Sequence, residues 1–296
     1  MFEGKMINNI IYKAKVLRTL FISDERYLTK RFVKKLGYDP NFKQPKTFNE
    51  KVTARMIYDR CPFYTTLADK YLVREIVKNR IGEKYLVPMI GIYDDVDQIK
   101  FDELPSQFVL KCTHDSGSAN VCLDKNKFDI NQAKTRLKQC LGMNMYFRKR
   151  EWHYKDIVPR IIVENFINLY VDQFTQSTIT TCRVHCFEGQ PKLIEIDIRG
   201  SDGVDYSNIY NTSWELQSFT VDGKNNFPMQ IQMPLNLPKM VELASELCFK
   251  YTYSRVDFLL TQDEVYFSEI TLTPNAGRMV IEPREWDETL GKYWQS

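Results

Sequence analysis

The sequence lacks the features that mark membrane-spanning, exported and zinc-binding proteins. No apolar run approaches the roughly 18 residues that a membrane-spanning helix needs, and no compact apolar segment with a small-residue cleavage site stands near the N-terminus. The cysteines include no C-x-x-C pair, which removes the commonest zinc and thiol-exchange patterns. We therefore expect a cytoplasmic protein that is neither exported nor inserted.

The sequence has seven cysteines, and it has no internal repeats and no long low-complexity linkers. Several cysteines lie in apolar, strand-like runs, where free thiols behave as small hydrophobic groups. Cys182, His185 and Cys186 offer at most three metal ligands and no second pair, so buried thiols are the favoured interpretation. A chain of 296 residues with 43% hydrophobic content can form two domains or one domain with lobes.

Positive charge is concentrated near the N-terminus. Residues 1–35 carry nine lysines and arginines against three acidic residues, a net charge of +6, while the whole chain has only +3. Apolar residues such as Ile10, Leu17 and Phe21 fall among these cations at near-helical spacing. The pattern fits a basic helix in residues 1–22 that contacts an anionic membrane face, or a helix that packs on its own protein with solvated lysines. The basic stretch contains no recognised nucleic-acid-reading motif, so we expect no nucleic-acid partner.

Local patterns predict an α+β protein in three regions. A capping box at residues 47–50 predicts a helix through Tyr58, and apolar spacing predicts a second helix over residues 64–80 that contains Lys70. From Phe108 the pattern changes to strand, loop and strand, then a helix near residues 130–140 and an apolar strand to about residue 166. A second sheet is expected from Thr178, with a turn at Glu188 and Gly189. The predicted regions are therefore a mostly helical 1–100, a small α+β lobe at 101–167 and a C-terminal lobe at 168–296.

A lysine in a buried-looking strand is the most informative local feature. Lys111 stands between Leu110 and Cys112, where an ammonium is costly unless an anion meets it. The strand runs into a loop of small residues, Ser116, Gly117 and Ser118, whose backbone N–H groups suit phosphate oxygens. The same residues also fit a simple hairpin turn.

Two carboxylates near the C-terminus form the second feature. Strand parity places Arg255 and Asp257 on one face, opposite the apolar Val256 and Phe258. A three-residue turn near residue 263 would place Asp257 directly across from Glu269, where one Mg²⁺ could bridge both carboxylates. The alternative is a surface salt bridge between Asp257 and Arg255 or a lysine.

These elements, taken in order, resemble the ATP-grasp superfamily, typified by D-alanine–D-alanine ligases. Asp69 and Lys70 resemble its first phosphate-contacting motif, and residues 108–118 resemble the second with its flexible loop. Residues 163–167 resemble the hinge that contacts adenine, and residues 255–258 with Glu269 and Pro274 resemble the magnesium hairpin. The resemblance implies an ATP-grasp fold in which two α+β lobes clasp ATP after a mostly helical N-terminal region.

The TupA-like branch, named for teichuronopeptide biosynthesis, is the closer resemblance. Residues 45–51, 67–71, 150–155 and 285–287 are similar to segments of that family. Two departures concern the ligases: Thr271 stands where they have an asparagine two residues after the metal glutamate, and the loop has a single glycine, Gly117.

The resemblance implies an ATP-dependent carboxylate–amine ligase with ATP and Mg²⁺ as cofactors. The residues implied to bind the nucleotide are Lys70, Lys111, Ser116, Gly117, Ser118, Glu164, Phe166, Asp172 and Arg183. Asp257 and Glu269 would hold Mg²⁺, and Arg255 together with Lys111 would stabilise the transferred phosphoryl group. A carboxylate would form an acylphosphate that an amine then converts to an amide. In this family's setting of cell-surface polysaccharide assembly, the expected pair is an amino acid and a uronic-acid-type sugar.

Two further functions fit parts of the sequence. A glycosyltransferase would find support in Asp95 and Asp97, because such pairs hold a metal on a sugar nucleotide, although their acidic turn also suits solvated carboxylates. A catalytically inactive ATP-binding scaffold is the non-enzyme alternative, and Thr271 is the residue that favours it.

Overall fold

The structure, a computed structural model, describes residues 2–295, with side chains described from residue 10 onward. The helices are α1 (Phe2–Phe21), α2 (Asp24–Leu36), α3 (Phe48–Tyr58), α4 (Phe63–Ala68), α5 (Val73–Arg80), α6 (Ile130–Leu141), α7 (Met145–Lys149), α8 (Leu237–Leu247) and α9 (Glu285–Tyr293). The strands are β1 (Met89–Tyr93), β2 (Phe108–Cys112), β3 (Asn120–Cys122), β4 (Ile161–Asn165), β5 (Thr178–Phe187), β6 (Gln190–Arg199), β7 (Asp205–Asn211), β8 (Thr220–Val221), β9 (Tyr253–Leu260), β10 (Val265–Thr271) and β11 (Ile281–Glu282). Within this described part, no helix is both long and apolar enough to cross a membrane.

The chain divides into two compact units. Unit 1 comprises Met1–Pro40, Thr53–Leu72 and Pro88–Phe166, and unit 2 comprises Asn41–Val52, Val73–Val87 and Ile167–Ser296. Each unit contains its own antiparallel sheet and helices. The α+β class predicted from the sequence is therefore confirmed, while the three predicted region boundaries stay a prediction.

Unit 1 is built on a four-stranded antiparallel sheet in the order β1-β4-β2-β3. In β2 the side chains alternate, so Phe108, Leu110 and Cys112 are buried while Val109 and Lys111 lie on the other face at intermediate exposure. Leu137 of α6 joins the same core. This alternation directs the Lys111 side chain away from the apolar core.

Unit 2 is built on a five-stranded antiparallel sheet in the order β10-β9-β5-β6-β7. Strands β5 and β6 are joined by the predicted two-residue turn, in which Glu188 and Gly189 both have positive φ (+52° and +81°). Two positive φ values match the twist of a hairpin and explain the glycine. The apolar face of the sheet packs with Phe48, Leu290 and Trp294 into one core.

The capping box predicted before α3 is present. The Glu50 N–H donates to Thr47 Oγ1 (3.2 Å), and the Thr47 N–H donates to Glu50 Oε2 (3.1 Å). Next to it, the Asn49 side chain donates to the Met279 carbonyl (2.9 Å) and accepts from the Met279 N–H (2.8 Å). The buried Asp287 accepts from both the backbone and the side chain of Asn49 (3.0 Å each). Two segments that carried the family resemblance, 45–51 and 285–287, thus hold each other in place in unit 2.

The predicted helix over residues 64–80 was wrong, because the chain leaves the helix between α4 and α5. The Asp69 carboxylate accepts hydrogen bonds from the N–H groups of Tyr71 (2.8 Å) and Leu72 (3.3 Å), which ends α4 in a turn. The Lys70 N–H donates to the Thr113 carbonyl (3.1 Å) instead of to a helical partner. Lys70 therefore lies in a turn beside the end of β2.

His153 of unit 1 makes the stability of the protein depend on pH. Burial lowers the pKa of His153 to about 3 from its usual 6.5, and the nearby Arg55 acts in the same direction. A group with a lowered folded pKa stabilises the fold above pH 6.5 and loses that contribution as the pH falls toward 3. We expect His153→Gln to lose about 2 kcal/mol less free energy of unfolding than the wild type between pH 7 and pH 5. Urea titrations of both proteins at the two pH values measure this, and parallel losses would contradict it.

Candidate active site

Lys111 in unit 1 has a carboxylate partner. Its Nζ lies 2.7 Å from Glu164 Oε2, and the side chains are only 16% and 7% exposed. The two residues sit diagonally on β2 and β4, because Lys111 is opposite Ile162 and Glu164 is opposite Val109. The ammonium predicted to need an anion therefore meets Glu164, which the sequence assigned to the adenine hinge. Phe166, assigned to the same hinge, follows β4 at intermediate exposure.

The loop after β2 is held by its own side chains. Ser118 Oγ accepts from the Cys112 N–H (2.8 Å) and donates to Asp115 Oδ1 (2.5 Å), and Ser118 is buried. Its hydroxyl is thus engaged within the loop. Ser116 and Gly117 are exposed, and Gly117 has a φ of +95°, which favours glycine.

Lys70 approaches this loop from the turn after α4. Its Nζ donates to the carbonyl oxygen of Asp115, and its backbone N–H binds Thr113. The two lysines that the sequence assigned to phosphate thus lie on either side of one loop in unit 1: Lys111 in the strand before it, and Lys70 attached to its backbone.

In unit 2, four charged residues form one row across four strands. Glu195 on β6 is opposite Arg183 on β5, Arg183 is opposite Asp257 on β9, and Asp257 is opposite Glu269 on β10. Directly paired residues of antiparallel strands share a face, so all four side chains lie on the same side of the sheet. The predicted pairing of Asp257 with Glu269 is confirmed, but the predicted three-residue turn was wrong. Leu260 pairs with Val265, so the turn has four residues, and a bulge between Phe267 and Glu269 shifts the register to give this pairing.

Arg255 lies close to the carboxylates of both Asp257 and Glu269. It donates to Asp257 through Nε (2.7 Å) and a terminal nitrogen (2.6 Å), and to Thr271 Oγ1 (3.1 Å). The same guanidinium lies 3.8 Å from Glu269 Oε1. The alternative pairing of Asp257 with Arg255 is thus present, but it is buried, since the Asp257 side chain is only 3% exposed. Thr271, which stands at the asparagine position of the ligases, is a hydrogen-bond acceptor for Arg255 here.

The charge states of this pair follow from burial and contact. Burial raises the pKa of Asp257 to about 6, and the Arg255 charge opposes that rise. Burial also works against the charge of Arg255, but the ion pair with Asp257 outweighs it and raises the pKa of Arg255. At neutral pH the pair is therefore ionised.

Arg183 is held by acidic side chains that the sequence did not single out. It contacts Glu195 Oε1 at 2.7 Å and also pairs with Asp197, which in turn binds Lys224 at 2.6 Å. Burial opposes the charge on Glu195, but the His185 hydrogen bond and the Arg183 charge outweigh it and lower the Glu195 pKa. The sequence contained a signal that could have identified these residues. Glu195 and Asp197 alternate with isoleucines in β6, so their side chains share one face of the strand.

His185 extends this network instead of joining a thiol site. Its Nε2 lies 3.2 Å from Glu195 Oε2, and its Nδ1 lies 3.0 Å from the Tyr253 hydroxyl. Burial lowers the pKa of His185, so the ring is neutral. With Glu195 ionised, Nε2–H donates to the carboxylate and Nδ1 accepts from Tyr253. Cys182 and Cys186 beside it are buried free thiols.

Asp172 was assigned to ribose from the sequence, and the structure places it in a turn. One carboxylate oxygen accepts from the N–H groups of Phe174 (3.0 Å) and Thr175 (2.8 Å). The other accepts a long bond from the Gln232 N–H (3.4 Å). Both oxygens thus shape the loop between β4 and β5.

The donor set fits one magnesium ion. Mg²⁺ takes one or two carboxylates together with phosphate oxygens, and the opposed Asp257 and Glu269 supply two carboxylates on one sheet face. No cluster of three or more His, Cys, Asp or Glu ligands is found within residues 2–295. Both Asp257 oxygens accept bonds from Arg255, so a metal would share Asp257 with that guanidinium.

The two aspartates that favoured a glycosyltransferase make hydrogen bonds and ion pairs within unit 1. Asp95 Oδ1 accepts from the Asp97 N–H (2.8 Å) and caps a short 3₁₀ helix. The Asp97 carboxylate pairs with Lys138 (2.5 Å) and Lys134 (3.5 Å) of α6.

Comparison with known proteins agrees with this architecture. The family described as TupA-like ATPgrasp matches residues 50–295. Together with the two α+β units, each built on its own antiparallel sheet, this match shows that the chain is an ATP-grasp protein. Within that superfamily, the chain belongs to the TupA-like family. No curated protein matches the sequence.

Several solved structures resemble the chain in fold. D-alanine–D-alanine ligase from Bacillus anthracis is 14% identical over 71% of this chain and 57% of its own, with a TM-score of 0.39. The ATP-grasp ligase PsnB, complexed with a precursor variant, Mg and ADP, is 9% identical over 72% and 52%, with a TM-score of 0.40. A RimK domain ATP-grasp protein from Sphaerobacter thermophilus DSM 20745 is 13% identical over 84% and 71%, with a TM-score of 0.40. The chain spans little more than half the length of the D-alanine–D-alanine ligases.

Proposed function

We propose that this protein is an ATP-dependent carboxylate–amine ligase of cell-surface polysaccharide biosynthesis. Its substrates are an amino acid and a uronic-acid-type sugar, one supplying the carboxylate and the other the amine. Membership of the TupA-like family supports the class, and the polysaccharide setting rests on the sequence resemblance to the branch named for teichuronopeptide biosynthesis. The observation that carries the proposal is the row of Glu195, Arg183, Asp257 and Glu269 across one sheet face.

The reaction needs charge neutralisation and positioning more than a covalent nucleophile. A carboxylate oxygen attacks the γ-phosphorus of ATP, the bond to the bridging oxygen breaks, and ADP leaves. The amine then attacks the acyl carbon of the acylphosphate, loses a proton, and expels phosphate. Magnesium, when bound by Asp257 and Glu269, supplies positive charge to the phosphate oxygens. Every other contribution comes from groups of the protein itself.

Unit 2 contributes two guanidinium groups to this chemistry. Arg255 shares a sheet face with the carboxylates and stabilises the oxygens of the transferred phosphoryl group. Arg183, fixed by Glu195 and Asp197, neutralises phosphate in a set orientation. A guanidinium held by two carboxylates needs little reorganisation when the substrate binds.

Lys70, Lys111 and the loop at residues 116–118 were assigned to phosphate from the sequence. Lys111 and Lys70 neutralise phosphate oxygens, and the exposed N–H groups at Ser116 and Gly117 contact them. Glu164 fixes the Lys111 ammonium at 2.7 Å. Closure of the loop over residues 116–118 excludes water, which protects an acylphosphate from hydrolysis.

The test is a screen of amino acids against uronic-acid sugar nucleotides that measures ADP and phosphate release. We expect release only when a carboxylate and an amine are both present, together with an amide-linked product. Lys111→Met should weaken ATP binding by about tenfold or more, and Lys111→Arg should retain most of it, because only the second keeps the charge.

Three outcomes would contradict the proposal. Release of a nucleoside diphosphate from the sugar donor without ADP from ATP identifies a glycosyltransferase. Tight ATP binding without turnover across many acceptors identifies an inactive scaffold. Unchanged ATP affinity in a folded Lys111→Met variant, measured by calorimetry, removes Lys111 from the nucleotide site.

A further inference from the structure

Helix α1 has an apolar face directed at its own unit. Tyr12, Val16 and Thr19 of α1 and Ile22 directly after it, at intervals of three or four residues, are half-buried. The Tyr12 hydroxyl accepts a hydrogen bond from the Asn144 N–H (2.9 Å) just before α7. This face accounts for the packing of α1 on the protein.

The opposite face of α1 is also apolar, and it is exposed. Ile10, Leu17, Leu20 and Phe21 are 58%, 56%, 75% and 79% exposed. With about 100° of rotation per residue, these four fall within about 100° of the helix circumference. We call them the α1 stripe. Large apolar side chains gathered on one side of a helix in water indicate a surface that another apolar phase covers.

Exposed cations are frequent in the part of the chain that carries the α1 stripe. Lys13 falls within the arc of the stripe and Arg18 lies beside it, and both are exposed. Helix α2 adds exposed Arg26, Lys30, Arg31, Lys34 and Lys35. Of the two acidic residues between positions 10 and 35, Asp24 is neutralised by Arg150 (2.7 Å) and Arg60 (3.0 Å). The region therefore presents apolar groups within an excess of positive charge.

The positive charge near the α1 stripe favours an anionic bilayer over a second copy of the chain as the partner that covers it. In a twofold dimer the same surface meets itself, so Lys13 and Arg18 would face cations of the second copy. An anionic bilayer offers an apolar phase and phosphate groups at adjacent depths, which matches both features. No helix within residues 2–295 can cross a membrane, so such contact lies in the plane of the surface.

We propose that α1 docks this protein on an anionic lipid surface. The α1 stripe enters the boundary between headgroups and acyl chains, while Lys13, Arg18 and the cations of α2 contact lipid phosphates. The helix lies outside residues 50–295, which match the family, so this function is separate from the proposed ligase activity. It places the protein at the membrane face.

Vesicle sedimentation of the full chain tests the proposal. We expect binding to phosphatidylglycerol/phosphatidylcholine vesicles that falls steeply as the salt concentration is raised. Binding to pure phosphatidylcholine vesicles should be weaker by at least about tenfold. Replacing Leu17 and Phe21 together by serine should weaken binding about tenfold or more. Replacing Leu123 and Val158 by serine is the matched control, because both are exposed apolar residues of unit 1 outside α1, and it should leave binding unchanged.

Two results would overturn the proposal. Equal sedimentation of the wild type and the Leu17/Phe21 variant, with both proteins folded by circular dichroism, would exclude the stripe from the lipid contact. A lipid-free dimer in light scattering that the Leu17/Phe21 variant abolishes would assign the stripe to a second copy of the chain. ADP release measured without vesicles is independent of both results, so the ligase proposal is judged separately.

Discussion

Replacing Asp257 by asparagine is expected to lower magnesium-dependent ADP release by about a thousandfold or more. The change removes one of the two carboxylates proposed to hold the metal but keeps the size of the side chain. The remaining amide oxygen can still accept a bond from Arg255, so the hairpin should stay folded. Steady-state ADP release at saturating ATP and magnesium measures the effect.

Asp263→Asn is the matched control for this experiment. Asp263 lies in the exposed turn of the same β9–β10 hairpin, and the substitution makes the same chemical change. We expect it to retain wild-type turnover. Full activity in the Asp257→Asn protein would remove Asp257 from the metal site, and loss of the circular dichroism spectrum in that variant would show that the carboxylate serves the fold.

Replacing Gly291 by alanine is expected to destabilise the protein by about 3 kcal/mol or more. A Cβ at this buried position of α9 would meet the carbonyl oxygen of Lys46 far inside contact distance, and would lie 3.0 Å from backbone carbons of Lys46 and Thr47. Backbone atoms cannot rotate aside as a flexible side chain can. The helix or the 46–47 segment would have to shift, which would disturb the bonds between Asn49 and Asp287.

Urea or thermal denaturation compares this variant with Gly142→Ala. Gly142 follows α6 at a negative φ, and a Cβ there would meet nothing closer than 3.7 Å. The control should change stability by no more than about 0.5 kcal/mol. A Gly291→Ala protein as stable as the wild type would show that α9 does not need this close approach.

Local sequence signals predicted the elements that depend on local physics. The Thr47–Glu50 capping box and the turn at residues 188–189 follow from spacing within a few residues. The pairing of Asp257 with Glu269 was also predicted, but a bulge that local spacing does not show sets it. The family resemblance, confirmed by the match over residues 50–295, supplied the fold. It also drew attention to residues 45–51 and 285–287, whose contacts stabilise unit 2.

The predictions missed hydrogen bonds, both local and distant in sequence, and packing that a periodic pattern does not show. Apolar spacing continued through residues 69–72, but the Asp69 carboxylate captured two N–H groups and the Lys70 backbone bound Thr113. Helical spacing in α1 could not show which apolar face would stay exposed, because that depends on where α7 packs.

The sequence by itself determined which side chains share a strand face, because alternation fixes them two residues at a time. It thereby put Arg255 with Asp257 and made Lys111 an ammonium in need of a partner. Only the tertiary structure decided that β5 lies between β6 and β9, since strand order joins segments that no local period relates. That order sets Arg183 between Glu195 and Asp257, and it turned scattered charges into one row.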